Sequence, residues 1–229
     1  MLYAAEFLAR LAAQLRANLP AWGLPPDSAV RLLTVSENVT YLVEPPGGGE
    51  GGKVIVRVHR PDYHSREEIL SELAWIGALR KEQVSNTPRP IPGRDGKLLQ
   101  SLHGGEQERF AVCFQYVDGH APNAEDDLPR WFSVLGAITA RMHGQARHFT
   151  PPAGFVRKEW DWSTTIGPHA HWGDWRTARG LDAAGRAILE ETAEKLRLMA
   201  QAYGKTPDRF GLVHCDMRAG NLLVEGDRL

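Results

Sequence analysis

Apolar residues recur at helical spacing from the start of the chain. Leu8, Leu11, Leu15 and Leu19 share one face, and Pro20, which cannot continue a helix, stops the pattern. The period then changes to two. Arg31–Ser36 and Thr40–Val43 read as strands joined by Glu37-Asn38-Val39. Pro45–Gly52 is a glycine-rich turn, and Lys53–Val58 a third strand. Its alternation puts Val54, Val56 and Val58 on one side and Ile55 and Arg57 on the other. Ser65–Arg80 returns to a helical pattern, with Ile69, Leu70, Leu73, Trp75, Ile76 and Leu79 on the apolar face. Ser65 and Glu68 spell a capping box, which occupies Glu68 at the helix start. Glu72, one turn on, sits amid the apolar set and needs a partner to offset its desolvation.

A proline-rich connection leads to two further β-type runs, Lys97–Leu102 and Phe110–Tyr116. The first half is therefore antiparallel sheet with one helix inserted. Beyond the turn-rich Asp118–Pro122 the character is helical. Pro129–Gln145 carries Trp131, Leu135, Ile138 and Met142 on one face, and Leu181–Tyr203 is a second helix. A tryptophan-rich segment, Pro151–Gly180, separates them. These patterns predict an α+β protein of two lobes, residues 1–117 sheet-rich and 118–229 mainly helical.

Composition narrows the picture. The 229 residues carry 27 basic and 28 acidic side chains, so no basic surface points to nucleic acid or a membrane. No apolar run approaches a bilayer span, and the N-terminal pattern, broken by Glu6, Arg10 and Arg16, is not a signal peptide. Two cysteines, Cys113 and Cys215, suit a reduced cytoplasm.

The chemistry concentrates in Gly211–Val224, GLVHCDMRAGNLLV, which sets His214, Asp216 and Asn221 at offsets 0, +2 and +7 between two short apolar runs. That is the spacing H-x-D-x-x-x-x-N of a kinase catalytic loop, in what reads as a strand–loop–strand unit. Asp216 can accept the proton of an attacking hydroxyl. Asn221 can offer a side-chain carbonyl to a magnesium ion on nucleotide phosphates, while His214 braces the loop. Upstream, Val54-Ile-Val-Arg57 stands where a kinase shows V-A-I-K, and Arg57 would reach the α- and β-phosphates with Glu72 holding it in place. Asn38, between the first two strands, can contact a phosphate or belong to an ordinary hairpin turn. Gln115 and Val117, at the end of the last strand, are placed to offer backbone groups to an adenine edge. Gly47–Val54 nearly spells a phosphate-binding loop, but Val54 lacks the hydroxyl and a strand follows where a helix must open. Asp161, Asp174 and the tryptophans around them could face a substrate, with packing the simpler role. His169 and His171 form H-x-H without a third metal ligand at a known spacing.

With these residues in place, the chain resembles the aminoglycoside phosphotransferase and choline kinase superfamily, which has the protein-kinase-like fold. Within it, the bacterial stress-response Ser/Thr kinase and type II homoserine kinase-like group is most similar. The resemblance is carried by Glu37–Tyr41, Val56–Ser65, Ser71–Trp75, Ala140–His143, Trp172–Trp175 and the motif loop. It implies an ATP- and Mg2+-dependent phosphotransferase acting on a hydroxyl of a protein Ser/Thr or a small alcohol. It implies Asp216 as catalytic base, Asn221 as metal ligand, and Arg57 with Glu72 at the phosphates. Such enzymes carry a second metal-binding Asp just after the loop. Here only Asp227 follows, in an apparent turn, so the chain as given is expected to be C-terminally truncated and inactive. The alternative is a catalytically dead, kinase-like binding or regulatory module.

Overall fold

The computed structural model describes residues 5–48, 52–105 and 107–226. Helix α1, Ala5–Asn18, buries Leu11 and Leu15. Pro20 then turns the chain into a short 3-10 segment, Leu19–Trp22, that buries Leu19 and Trp22. Six strands follow: β1 Ala29–Val35, β2 Val39–Glu44, β3 Val54–Val58, β4 Pro90–Ile91, β5 Leu99–Leu102 and β6 Arg109–Gln115. All pairings are antiparallel, in the order β1-β2-β3-β6-β4, with β5 also on β6. The glycine-rich segment lies between β2 and β3; its residues 49–51, like Asp227 and the two residues after it, lie outside the described residues.

The alternation along β3 decides what each sheet face covers. Val54, Val56 and Val58 pack with Leu11, Leu15 and Leu19, so α1 and the turn after it close one side. Ile55 faces the other way, into a cluster with Ile69, Leu73, Val112 and Phe114 under helix α2, Arg66–Lys81. Ser65 caps α2 as its sequence predicts: its hydroxyl accepts from Glu68 N–H at 3.1 Å, and the Glu68 carboxylate accepts from Ser65 N–H at 2.9 Å. The box fixes the rotational phase of the helix and turns Glu72 toward the sheet.

Helix α3, Leu128–Ala146, starts at the Asp127 cap and buries Trp131, Leu135, Met142 and Gln145. Gln145 ties it to α2: its carbonyl accepts from Trp75 Nε1 at 2.9 Å, and its amide donates to Glu82 at 3.0 Å. The described residues up to Val156, with those from His214 on, form one compact unit, and Arg157–Val213 form a second. The second unit holds a single-turn helix, α4, Trp162–Thr165, and α5, Ala183–Tyr203, capped by Asp182.

Within the proline-rich connection, Pro90–Ile91 adds a short edge strand to β6. One expectation changes: the motif is not strand–loop–strand. Gly211–Val213 and Leu222–Leu223 form no ladder, and a short 3-10 turn occupies Ala219–Asn221. An apolar run makes a strand only where a second backbone lies alongside, and here the named bridge is His120 with Val224.

Candidate active site

The strand β3 and the helix α2 meet at an ion pair. Arg57 Nη1 donates to Glu72 Oε1 at 2.8 Å, with the side chains 35% and 27% exposed. Arg57 also lies 5.2 Å from the Phe114 ring centre, which backs the guanidinium from β6. The structure thus brings together two residues that the sequence pairs across 15 positions. One η nitrogen serves the carboxylate, and the rest of the fork remains for an anion.

The motif loop is organised around Asp216. Its backbone N–H donates to His214 Nδ1 at 3.2 Å, which leaves the proton of a neutral imidazole on Nε2 and makes His214 a brace. Asn221 Nδ2 donates to Asp216 Oδ2 at 2.6 Å and to Asp216 O at 2.9 Å, while Arg218 Nε donates to Oδ1 at 3.0 Å. Between brace and carboxylate, Cys215 takes φ +64°, a left-handed conformation unusual for a side chain with a Cβ. With its nitrogen spent on Asp216, the amide of Asn221 keeps its Oδ1 as a hard oxygen ligand. Among the described residues, no group of three or more His, Cys, Asp or Glu is placed to hold a metal ion.

Backbone contacts hold this loop within the first unit. Val224 exchanges backbone hydrogen bonds with His120, at 2.8 and 3.1 Å. Gly119 permits that approach: its φ is +126°, and a Cβ there would stand 2.8 Å from Val224 O. Ala219 and Leu222 line one shallow apolar recess with Pro122, Leu128, Trp131 and Phe132. Sequence reading passed over Gly119 and Arg218. The Asp-Gly turn signalled the first; nothing local signalled that Arg218 would bend back onto Asp216.

The remaining expected residues divide. Asn38 sits at the β1–β2 turn with a buried Oδ1 that has no hydrogen-bond partner among the described residues. Gln115 N–H already donates to Arg89 O at 2.8 Å, so only its carbonyl and side chain are open to a ligand. Val117 is 37% exposed just past β6. The substrate candidates of the second unit serve its architecture. Asp161 caps α4 and pairs with Lys205, Asp174 caps Trp175–Thr177, and the indole nitrogens of Trp162 and Trp175 donate to Ala193 O and Ile166 O. Lys205, by its hydrogen bond, holds the Asp161 carboxyl below the usual carboxylate range. Trp172 stays 73% exposed beside Trp160.

Residues 28–229 match the phosphotransferase enzyme family. Amicoumacin kinase of Bacillus subtilis (strain 168) is 23% identical over 195 residues, 84% of this chain and 53% of its own. Homoserine kinase of Ralstonia pickettii (strain 12J) is 29% identical over 167 residues, 69% of this chain and 43% of its own. Among solved structures, a microcompartment-associated aminopropanol kinase superposes with a TM-score of 0.82 at 38% identity, covering 93% of this chain and 66% of that one. The amicoumacin kinase hAmiN, in complex with AMP-PNP, Ca2+ and Ami, superposes at 0.69 with 20% identity, covering 98% and 61%, and shares the fold. The chain spans about half the length of the curated relatives it matches. With a kinase-like antiparallel sheet, an Arg–Glu pair beneath α2 and a family match over most of its length, the chain belongs to the phosphotransferase enzyme family.

Proposed function

We propose that this protein transfers the γ-phosphate of ATP to the hydroxyl of a small molecule, with Mg2+ as the metal. The observation that carries the reading is the clasped carboxylate of Asp216, held on both oxygens by Arg218 and Asn221 in a loop braced by His214. In this reading residues 1–117 form the nucleotide-binding lobe and 118–229 carry the catalytic loop. Bound nucleotide supplies the transferable phosphoryl group. Arg57, oriented by Glu72, compensates phosphate charge, and Asn221 Oδ1 takes part in holding the metal. Asp216 orients the acceptor hydroxyl and takes its proton. Asn38, Gln115 and Val117 contribute on the phosphate and adenine sides.

A small amino alcohol is the acceptor class favoured by the 38% identity to a protein described as an aminopropanol kinase. No described helix is long and apolar enough to cross a membrane. On the thiols of Cys113 and Cys215, which suit a reducing compartment, we place the reaction in the cytoplasm. The test is ADP release by the full-length protein with a panel of amino alcohols, homoserine and aminoglycosides. Asp216→Asn should lower kcat by about 10²–10⁴-fold, the range for loss of a positioned general base, with an unchanged circular dichroism spectrum. Near-normal turnover in that variant removes Asp216 from the chemistry.

A further inference from the structure

One polar side chain stands where the pattern of α3 calls for an apolar one. Trp131, Leu135, Ile138 and Met142 follow the helical repeat along a single face, and Gln145 is the next position of that series. Gln145 is 2% exposed, and both ends of its amide are engaged by α2 and its C-cap. Its Oε1 accepts from Trp75 Nε1 at 2.9 Å, and its Nε2 donates to Glu82 Oε1 at 3.0 Å. The other Glu82 oxygen pairs with His148 Nε2 at 3.1 Å. Two more bonds tie the same segments: Val156 N–H donates to the Ser71 hydroxyl at 2.8 Å, and Arg141 Nε to Val84 O at 3.4 Å. A buried amide matched at both ends admits one register of two helices, where an apolar side chain would tolerate several.

That register bears on the phosphate site. With about 100° between successive residues, Ser71 and Trp75 share one side of α2, and Glu72 lies about 60° around the helix from Trp75. Side chains end about 5–6 Å from the axis, so a rotation of about 20° would carry the Glu72 carboxylate about 2 Å. That is enough to part it from Arg57 Nη1, now at 2.8 Å. The capping box holds the first turn of α2, and Gln145 holds its second half. Helix α3 is a firm reference for that hold. Its 19 residues run about 28 Å, and near its N-terminal end Leu128, Trp131 and Phe132 line the recess shared with Ala219 and Leu222 of the motif loop. One helix therefore touches both the element that bears Glu72 and the loop that bears Asp216.

We propose that Gln145 is a positioning residue of the phosphate site: by fixing α2 on α3 it holds the Glu72 carboxylate on Arg57. The inference rests on the phosphotransferase reading for its purpose, but not for its geometry, and two measurements separate them. The first needs no nucleotide. In full-length protein with 15N-labelled arginine, the Arg57 side-chain signal, assigned by its absence in Arg57→Lys, should shift in Gln145→Leu in the same direction as in Glu72→Gln. An Arg57 signal that keeps its wild-type position in Gln145→Leu overturns the proposal. The second is binding of a fluorescent ATP analogue. Gln145→Leu should weaken it about fivefold, and should add nothing to Glu72→Gln, because the amide acts through that carboxylate. Losses that multiply in the double variant mark a merely structural amide and overturn the positioning. Gln145→Glu sets a second carboxylate against Glu82 and should also weaken binding. Adding Glu82→Gln restores a donor facing that carboxylate and should return the affinity to within about twofold of wild type; a pair that does not recover overturns the contact as the cause. Where Gln145→Leu does not fold, Trp75→Phe, which removes the indole donor and keeps an apolar ring, takes its place in both measurements. If the wild-type protein binds no nucleotide, the phosphotransferase reading falls, and the Arg57 signal still decides the positioning.

Discussion

Replacing Glu72 by Gln removes one charge from the Arg57 pair and leaves an acceptor of nearly the same shape. The contact is 2.8 Å, with 35% and 27% of the two side chains exposed. Two unit charges about 4 Å apart near a protein surface interact by about 4 kcal/mol at an effective dielectric of 20, which is an upper bound here. Solvent reaching a third of the guanidinium screens that value, and a hydrogen bond involving a charged group contributes about 1.5–3 kcal/mol. Arg57 also keeps its charge in the variant and loses only its orientation. The net effect on nucleotide affinity should therefore fall near 1.4 kcal/mol, about tenfold. The assay is steady-state ADP release by the full-length protein with varied ATP. KM for ATP should rise about tenfold while kcat changes less, because the lost orientation acts on phosphate binding. Unchanged KM and kcat together with a lowered melting temperature would refute the reasoning. Arg57–Glu72 would then be a brace between strand and helix and nothing more.

Three further outcomes follow from particular contacts. Ser65→Ala removes half of the capping box and should cost about 1 kcal/mol, lowering the melting temperature by about 2–4 °C in a chain of this size. Gly119→Ala places a methyl 2.8 Å from Val224 O at a φ of +126°, so it should lower kcat through the displaced loop, checked by kinetics and by proteolysis within 214–224. His59 binds its proton at about 4 when folded and near 6.5 when unfolded, so below 6.5 the unfolded chain holds more protons. The stability of the neutral buried ring is fully present above 6.5 and is lost as pH falls toward 4, by on the order of 3 kcal/mol. Urea titrations between these values should show a slope that His59→Phe reduces.

Where a pattern was local, the chain announced it. The alternation of Val54 to Val58 set which face of β3 is buried, and the Ser65–Glu68 box set the phase of α2. From those two facts alone Glu72 had to face the strand that bears Arg57. The spacing of His214, Asp216 and Asn221 likewise carried its own loop, since the three side chains lie within eight residues and bond to one another locally.

What required the tertiary structure is what depends on segments far apart in sequence. Pro90–Ile91 is a strand only because β6 offers it an edge, and the apolar flanks of the motif are not strands because, of the described residues, His120 alone forms a named backbone bridge to them, at Val224. The need for Gly119 comes from Val224, 105 residues on, where contact distance and not propensity excludes a Cβ. The register that pairs Thr40 with Arg57 is likewise set by the summed burial of β2 and β3 and by no residue that either carries alone.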